Sequence, residues 1–173
     1  MTAPCIGPLR RIVGVSWSWG RIRVRYIWTA AGGRDLDTKT WVTFGGAAVG
    51  GAVGWSFGYT ANAYMPGSVR MVEFLSWVSG DNTNQGGEEY VEANLDNMMA
   101  YAGASSDPNR QMVINCSAHW YGTPANGQVL FQVDYLDGMT GPTLSKTVTI
   151  TTRYNNPQMI ARILVNGSQL QFL

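Results

Sequence analysis

The run RIRVRYIW, residues 21–28, sets Arg21, Arg23 and Arg25 on one side and Ile22, Val24 and Tyr26 on the other. A period of two is the mark of a strand with one buried face. It returns in DTKTWVTF (37–44), VRMVEFLSWV (69–78) and EYVEANL (89–95). It returns again in QMVINCSAHWY (111–121), GQVLFQVDYL (127–136) and TLSKTVTITTRY (143–154). ARILV and QLQFL flank Asn166-Gly167, a dipeptide suited to a tight hairpin. Gly45 to Gly54 reads as a loop or a bulged, closely packed strand. Only DNMMAYAGASSDPN (96–109) leaves room for a short helix, closed by Asp107-Pro108-Asn109.

Roughly eight to ten short strands at this spacing predict an all-β fold, an antiparallel β-sandwich. Its expected core holds Val24, Trp41, Val72, Phe74, Ile114, Phe131, Val133, Val148, Ile150 and Ile163. Residues 1–15 contain Pro4, Gly7 and Pro8 and lack alternation, which predicts an extended N-terminal arm. Residues 16–173 form one domain, with no repeat and no heptads.

Composition points toward assembly. Charged residues make up 13% of the chain, about half the usual share. Lys39 and Lys146 are the only lysines, while there are 21 glycines and seven tryptophans. So little charge suits a surface largely covered by neighbours. The charges are also segregated. Arg10, Arg11, Arg21, Arg23, Arg25 and Arg34 precede the first acid. Between Arg70 and Arg110 there are acids alone, among them Glu73, Asp81, Glu88, Glu89, Glu92 and Asp96. Two opposed surfaces can pair within the fold, or Arg10, Arg11, Arg21, Arg23 and Arg25 can meet another subunit near Glu88. Nucleic acid is disfavoured as a partner, because these arginines alternate with Ile, Val and Tyr.

Cys5 and Cys116 can pair, bridge chains or stay reduced, and free thiols are the expectation; with a single histidine they make no structural zinc site. The first 20 residues lack the apolar stretch of a signal peptide. FGGAAVGGAVGWSF (44–57) is too short and too glycine-rich to span a bilayer. No membrane association is expected.

Catalytic signals are weak. His119 reads as a core or edge histidine, and no nucleophile motif or phosphate loop accompanies it. The chain reads as non-enzymatic. The acidic turn SGDNTNQGGEE (79–89) is more informative. Asp81, Asn82, Thr83 and Asn84 offer hard oxygens within a glycine-bounded loop, and calcium takes about six to eight oxygen ligands. In GRDLDTKT (33–40), a strand would turn Asp35 and Asp37 to one face, about 7 Å apart. Such a pair repels itself unless a cation or a basic partner intervenes.

WTAAGGRDLDTKTWV (28–42), SGDNTNQGGEEYVEANL (79–95) and ARILVNGSQLQFL (161–173) together resemble the TerD-like domain of tellurite-resistance and stress proteins. That resemblance implies a calcium-binding β-sandwich whose acids converge on the metal. It implicates Asp35, Asp37, Asp81, Asn82 and Glu89 as ligands, with Glu88 as an extra. NTNQGGEE is shorter and poorer in Asp than the family's loop, which implies one metal where the family has two. The pattern of an aromatic, two intervening residues and GDNT, then a small residue, Gly and Glu, also resembles structural proteins of tailed bacteriophages. The leading expectation is therefore a virion subunit: capsid decoration, tail or baseplate. It would bind other virion proteins and copies of itself, with calcium as a rivet. The alternatives are a cellular TerD-type calcium-binding stress protein in the bacterial cytoplasm, and a carbohydrate-binding module using exposed Trp17 and Trp19.

Overall fold

Strands form wherever the period of two runs. The computed structural model describes residues 20–29, 35–107, 110–121, 127–136, 144–154, 156–166 and 169–173. The expected arm, with Arg10, Arg11 and Cys5, lies outside them, as do Trp17 and Trp19. In chain order the strands are β1 (Arg21–Trp28), β2 (Leu36–Phe44), β3 (Ala47–Gly54), β4 (Thr60–Tyr64), β5 (Met71–Trp77) and β6 (Gly87–Asn94). One helix, α1 (Leu95–Ala104), follows. The chain continues with β7 (Met112–Trp120), β8 (Gly127–Tyr135), β9 (Leu144–Ile150), β10 (Gln158–Asn166) and β11 (Gln169–Phe172).

The strands build two antiparallel sheets, β4-β5-β6-β1-β8-β9 and β11-β10-β7-β2-β3. The sheets pack face to face as a β-sandwich. Between them lie Ile22, Val24 and Tyr26 of β1, Phe131 and Val133 of β8, Val42 and Phe44 of β2, and Ile114 of β7, all buried. Tyr26 meets Phe131 edge to face at 5.3 Å, a geometry the ring quadrupoles favour. The Tyr26 hydroxyl and Thr40 Oγ1 are hydrogen-bonded at 2.7 Å, so a buried phenol keeps a polar partner.

Eight of the ten expected core residues are buried: Val24, Val72, Phe74, Ile114, Phe131, Val133, Ile150 and Ile163. Val148 is half-buried against the core. Trp41 is a correction. Alternation along β2 turns Leu36, Thr38, Thr40, Val42 and Phe44 inward, which leaves Trp41 on the outer face under the Lys39 ammonium, 5.1 Å from its ring. The small threonines hid the phase of the strand.

Two elements were harder to read. β4 turns only the small Ala61 and Ala63 inward, a weak signal beside a larger apolar residue, and forms as the edge partner of β5. β3 bulges against β2, where the pairing jumps from Trp41–Ala52 to Val42–Val49. Gly50 and Gly51 absorb the extra residues at φ 79 and 88, angles that a side chain resists. Helix α1 begins at Asn94, whose side chain accepts from the Asn97 N–H at 3.0 Å. It seals the sandwich with Leu95 and Met98, both buried.

Core and outer-face aromatics should separate in a urea titration. Phe131→Ala should cost ~3–5 kcal/mol, as a buried aromatic truncation does. Trp41→Ala should cost less than half as much; equal losses would contradict the assigned phase of β2.

Candidate metal centre

The end of the sandwich where β1 leaves and β2 enters gathers the acids. Asp35 stands one residue before β2 with a left-handed φ of 60. The expected strand alternation therefore starts only after it. That backbone is held on both sides: the Asp35 N–H donates to the Asn84 carbonyl at 3.3 Å, and the Asp35 carbonyl accepts from Tyr121 N–H at 2.8 Å. The Trp28 indole also donates to the Asn84 carbonyl, at 3.4 Å. The loop 79–86 is thus tied between the end of β1 and the start of β2. One carboxylate oxygen each from Asp35, Asp37 and Asp81 lies within 4.8 Å of the others.

Asp37 is the unusual member. It is 2% exposed, and neither of its carboxylate oxygens accepts a hydrogen bond. Its cross-strand neighbour on β7 is His119, whose Nε2 stands 3.2 Å from Oδ2 without hydrogen-bond alignment. Burial, and then the Asp37 charge, push the Asp81 carboxyl upward. A buried carboxylate facing two others is costly unless a cation neutralises it. The cluster can hold one metal ion through hard oxygens.

Asn82 and Glu89 stand beside the cluster and shape the loop. The Asn82 side-chain oxygen accepts from the Asn84 N–H at 3.1 Å and from the Asn84 amide at 2.8 Å. Its amide nitrogen donates to the Glu88 carbonyl at 3.2 Å. Glu89 points inward from β6, fully buried, and crosses the sandwich. Thr38 Oγ1 of β2 donates to it at 2.5 Å, and the Asn82 N–H donates to its other oxygen at 3.1 Å. Burial lifts its pKa to about 8; those two hydrogen bonds oppose the shift, and the Asp81 and Asp37 charges add to it.

The arginine face is occupied within its own sheet. Arg23 pairs with Glu92 at 2.7 Å and Arg21 with the same carboxylate at 3.8 Å. Arg25 holds Glu88 through two bonds of 2.6 and 2.8 Å and lies 3.6 Å from Asp134. Part-exposed pairs of this kind each contribute ~0–1 kcal/mol. Cys116 is a free, buried thiol; burial pushes it up to about 12, which keeps it unreactive.

His119 and Thr38 carry no signal in the linear sequence. Their roles come from strand register, which sets Asp37 opposite His119 and turns Thr38 toward Glu89. No helix among the described residues is long and apolar enough to cross a membrane.

Glu89 predicts a pH dependence. The unfolded carboxyl ionises near 4.5 and the folded one near 8, so the folded state binds the extra proton between those values. Stability should therefore fall as pH rises through that window, by ~1.4 kcal/mol per unit, and level off above it. Glu89→Gln, unfolded in urea with chelator present, should show a flatter profile and a gain over the parent at pH 8. Parallel profiles would refute the buried proton. In comparisons with family models, curated proteins and solved structures, nothing matches this chain.

Proposed function

We propose that this chain is a calcium-binding β-sandwich that works by binding rather than by chemistry, as a structural subunit of a bacteriophage virion. The observation that carries the calcium reading is Asp37, a buried carboxylate without a hydrogen-bond donor, facing Asp35 and Asp81. Three oxygens from three carboxylates suit a hard divalent cation, and backbone carbonyls or water complete its shell. Glu89 and Asn82 hold the loop in place for it. The ion joins the start of β2 to the loop before β6, which belong to opposite sheets, and so acts as a rivet across one end of the sandwich.

The virion reading is supported by the sparse charge and by an apolar hairpin tip. Tyr64 and Met71 face each other across β4 and β5, and Val69 stands between them in the turn, 94% exposed. Apolar side chains clustered this way suit contact with a neighbouring subunit. A cellular TerD-type protein would use the same three carboxylates, so location separates the two readings. Mass spectrometry of purified phage particles should find the chain at structural copy number; its absence from particles would favour the cellular reading.

The metal is tested by melting. Calcium at about 100 times its dissociation constant adds ~2.7 kcal/mol, which for a chain of this size raises Tm by about 5–10 °C. Asp37→Asn should abolish that response. In chelator the variant should be at least as stable as the parent, because it relieves repulsion among the acids. Melting indifferent to calcium and chelator alike would end the calcium reading.

A further inference from the structure

The turn after β3 stands over the outer face of the five-stranded sheet. The Trp55 N–H donates to the Thr38 carbonyl at 3.2 Å, and the Phe57 N–H to the Gly54 carbonyl at 3.1 Å. Ser56 between them is held at a left-handed φ of 65. A cavity of about 290 Å³ lies beneath this turn, lined by Asp37, Lys39, Trp55, Ser56, Phe57 and His119 among others. On the other side of the same turn a second cavity reaches Asp81, Tyr59 and Trp77.

The lining of the first cavity narrows the ligand. Its floor holds the buried Asp37 carboxylate, which accepts no hydrogen bond. Its rim holds Lys39, whose ammonium lies 4.3 Å from the Phe57 ring and has no carboxylate within ion-pair distance among the described residues. Trp55 and Phe57 add apolar ring surface, with Trp55 meeting His119 edge on at 6.5 Å. A free anion is disfavoured by the three carboxylates nearby, and a cationic ligand by Lys39. A purely apolar ligand would leave the Asp37 oxygens without a hydrogen-bond donor. A neutral ligand rich in hydroxyls, with one apolar face, satisfies every wall.

We propose that this cavity binds a single saccharide unit. The sugar's C–H face lies against Trp55; its hydroxyls donate to Asp37, accept from Lys39 and exchange hydrogen bonds with His119 and Ser56. The volume, just under the usual range for small-molecule sites, suits one ring. The proposal deepens the reading of the chain as a binding subunit and rests on it only for a partner at this end; the contacts themselves need no ion.

The test is saturation-transfer NMR with the full chain and the methyl glycosides of glucose, galactose, mannose and N-acetylglucosamine, in calcium and in EDTA. At least one glycoside should receive saturation, and inorganic phosphate should not compete with it. Trp55→Ala and Lys39→Ala should each weaken binding by about tenfold. Tyr64→Ala, at the hairpin tip, should leave it unchanged. Near-UV circular dichroism of each variant checks the fold. Saturation transfer in a chain that ignores calcium would sustain the pocket while the calcium reading fails. No transfer to any glycoside from calcium-loaded chain, displacement by phosphate, or undiminished binding by both cavity variants would overturn the proposal.

Discussion

Thr38 joins three parts of the molecule at one residue. Its hydroxyl crosses the sandwich to Glu89 of β6, so it links one sheet to the other. Its carbonyl accepts the Trp55 N–H and fixes the turn that follows β3. Gly54 lies so close to that carbonyl that a Cβ there would collide with it, and its φ of 120 is one only glycine adopts easily. Glu89 in turn accepts from the Asn82 N–H and holds the acidic loop. Through Glu89 this threonine braces the acidic loop that carries Asp81, and through its carbonyl it braces the aromatic turn.

Charge is handled in two opposite ways on the six-stranded sheet and at its end. Along β1 the arginines face outward and meet Glu88, Glu92 and Asp134 on the neighbouring strands. These pairs keep solvent contact, so their desolvation is slight and their net contribution small. At the end of the sandwich, among the described residues, no arginine or lysine pairs with Asp37, Asp81 or Glu89. Glu89 holds a proton at neutral pH and Asp37 lies beside His119. Instability is therefore concentrated where the two sheets part company, which is where a ligand can contribute most to the native state.

The sandwich was legible because alternation is a local property. RIRVRYIW shows its buried face in eight letters, and β1 places Ile22, Val24, Tyr26 and Trp28 inward as the pattern says. Where alternation was masked by threonine, as in β2, the phase was misread and Trp41 was set in the core. Where its inward positions are only alanines, as in TANAY, the strand went unseen, and β4 is held by its pairing with β5. The meeting of Asp35, Asp37 and Asp81 was legible only through a resemblance. The roles of His119, Thr38 and Trp55 were not legible at all, since register and a glycine-permitted turn create them.

The same logic explains why the metal site and the cavity share Asp37. A strand presents alternate residues on one face, so Asp37 and Lys39 both look outward across from β7. Covering that face with a turn creates a partly enclosed cavity, but it also strips water from the carboxylate. An apolar residue at position 37 would remove the desolvation cost and the site together. The strained Ser56 and the buried acid lie within one turn of each other, although neither strengthens the fold. Strain and unmatched charge persist together where the surrounding structure imposes them, and such places are where binding is built.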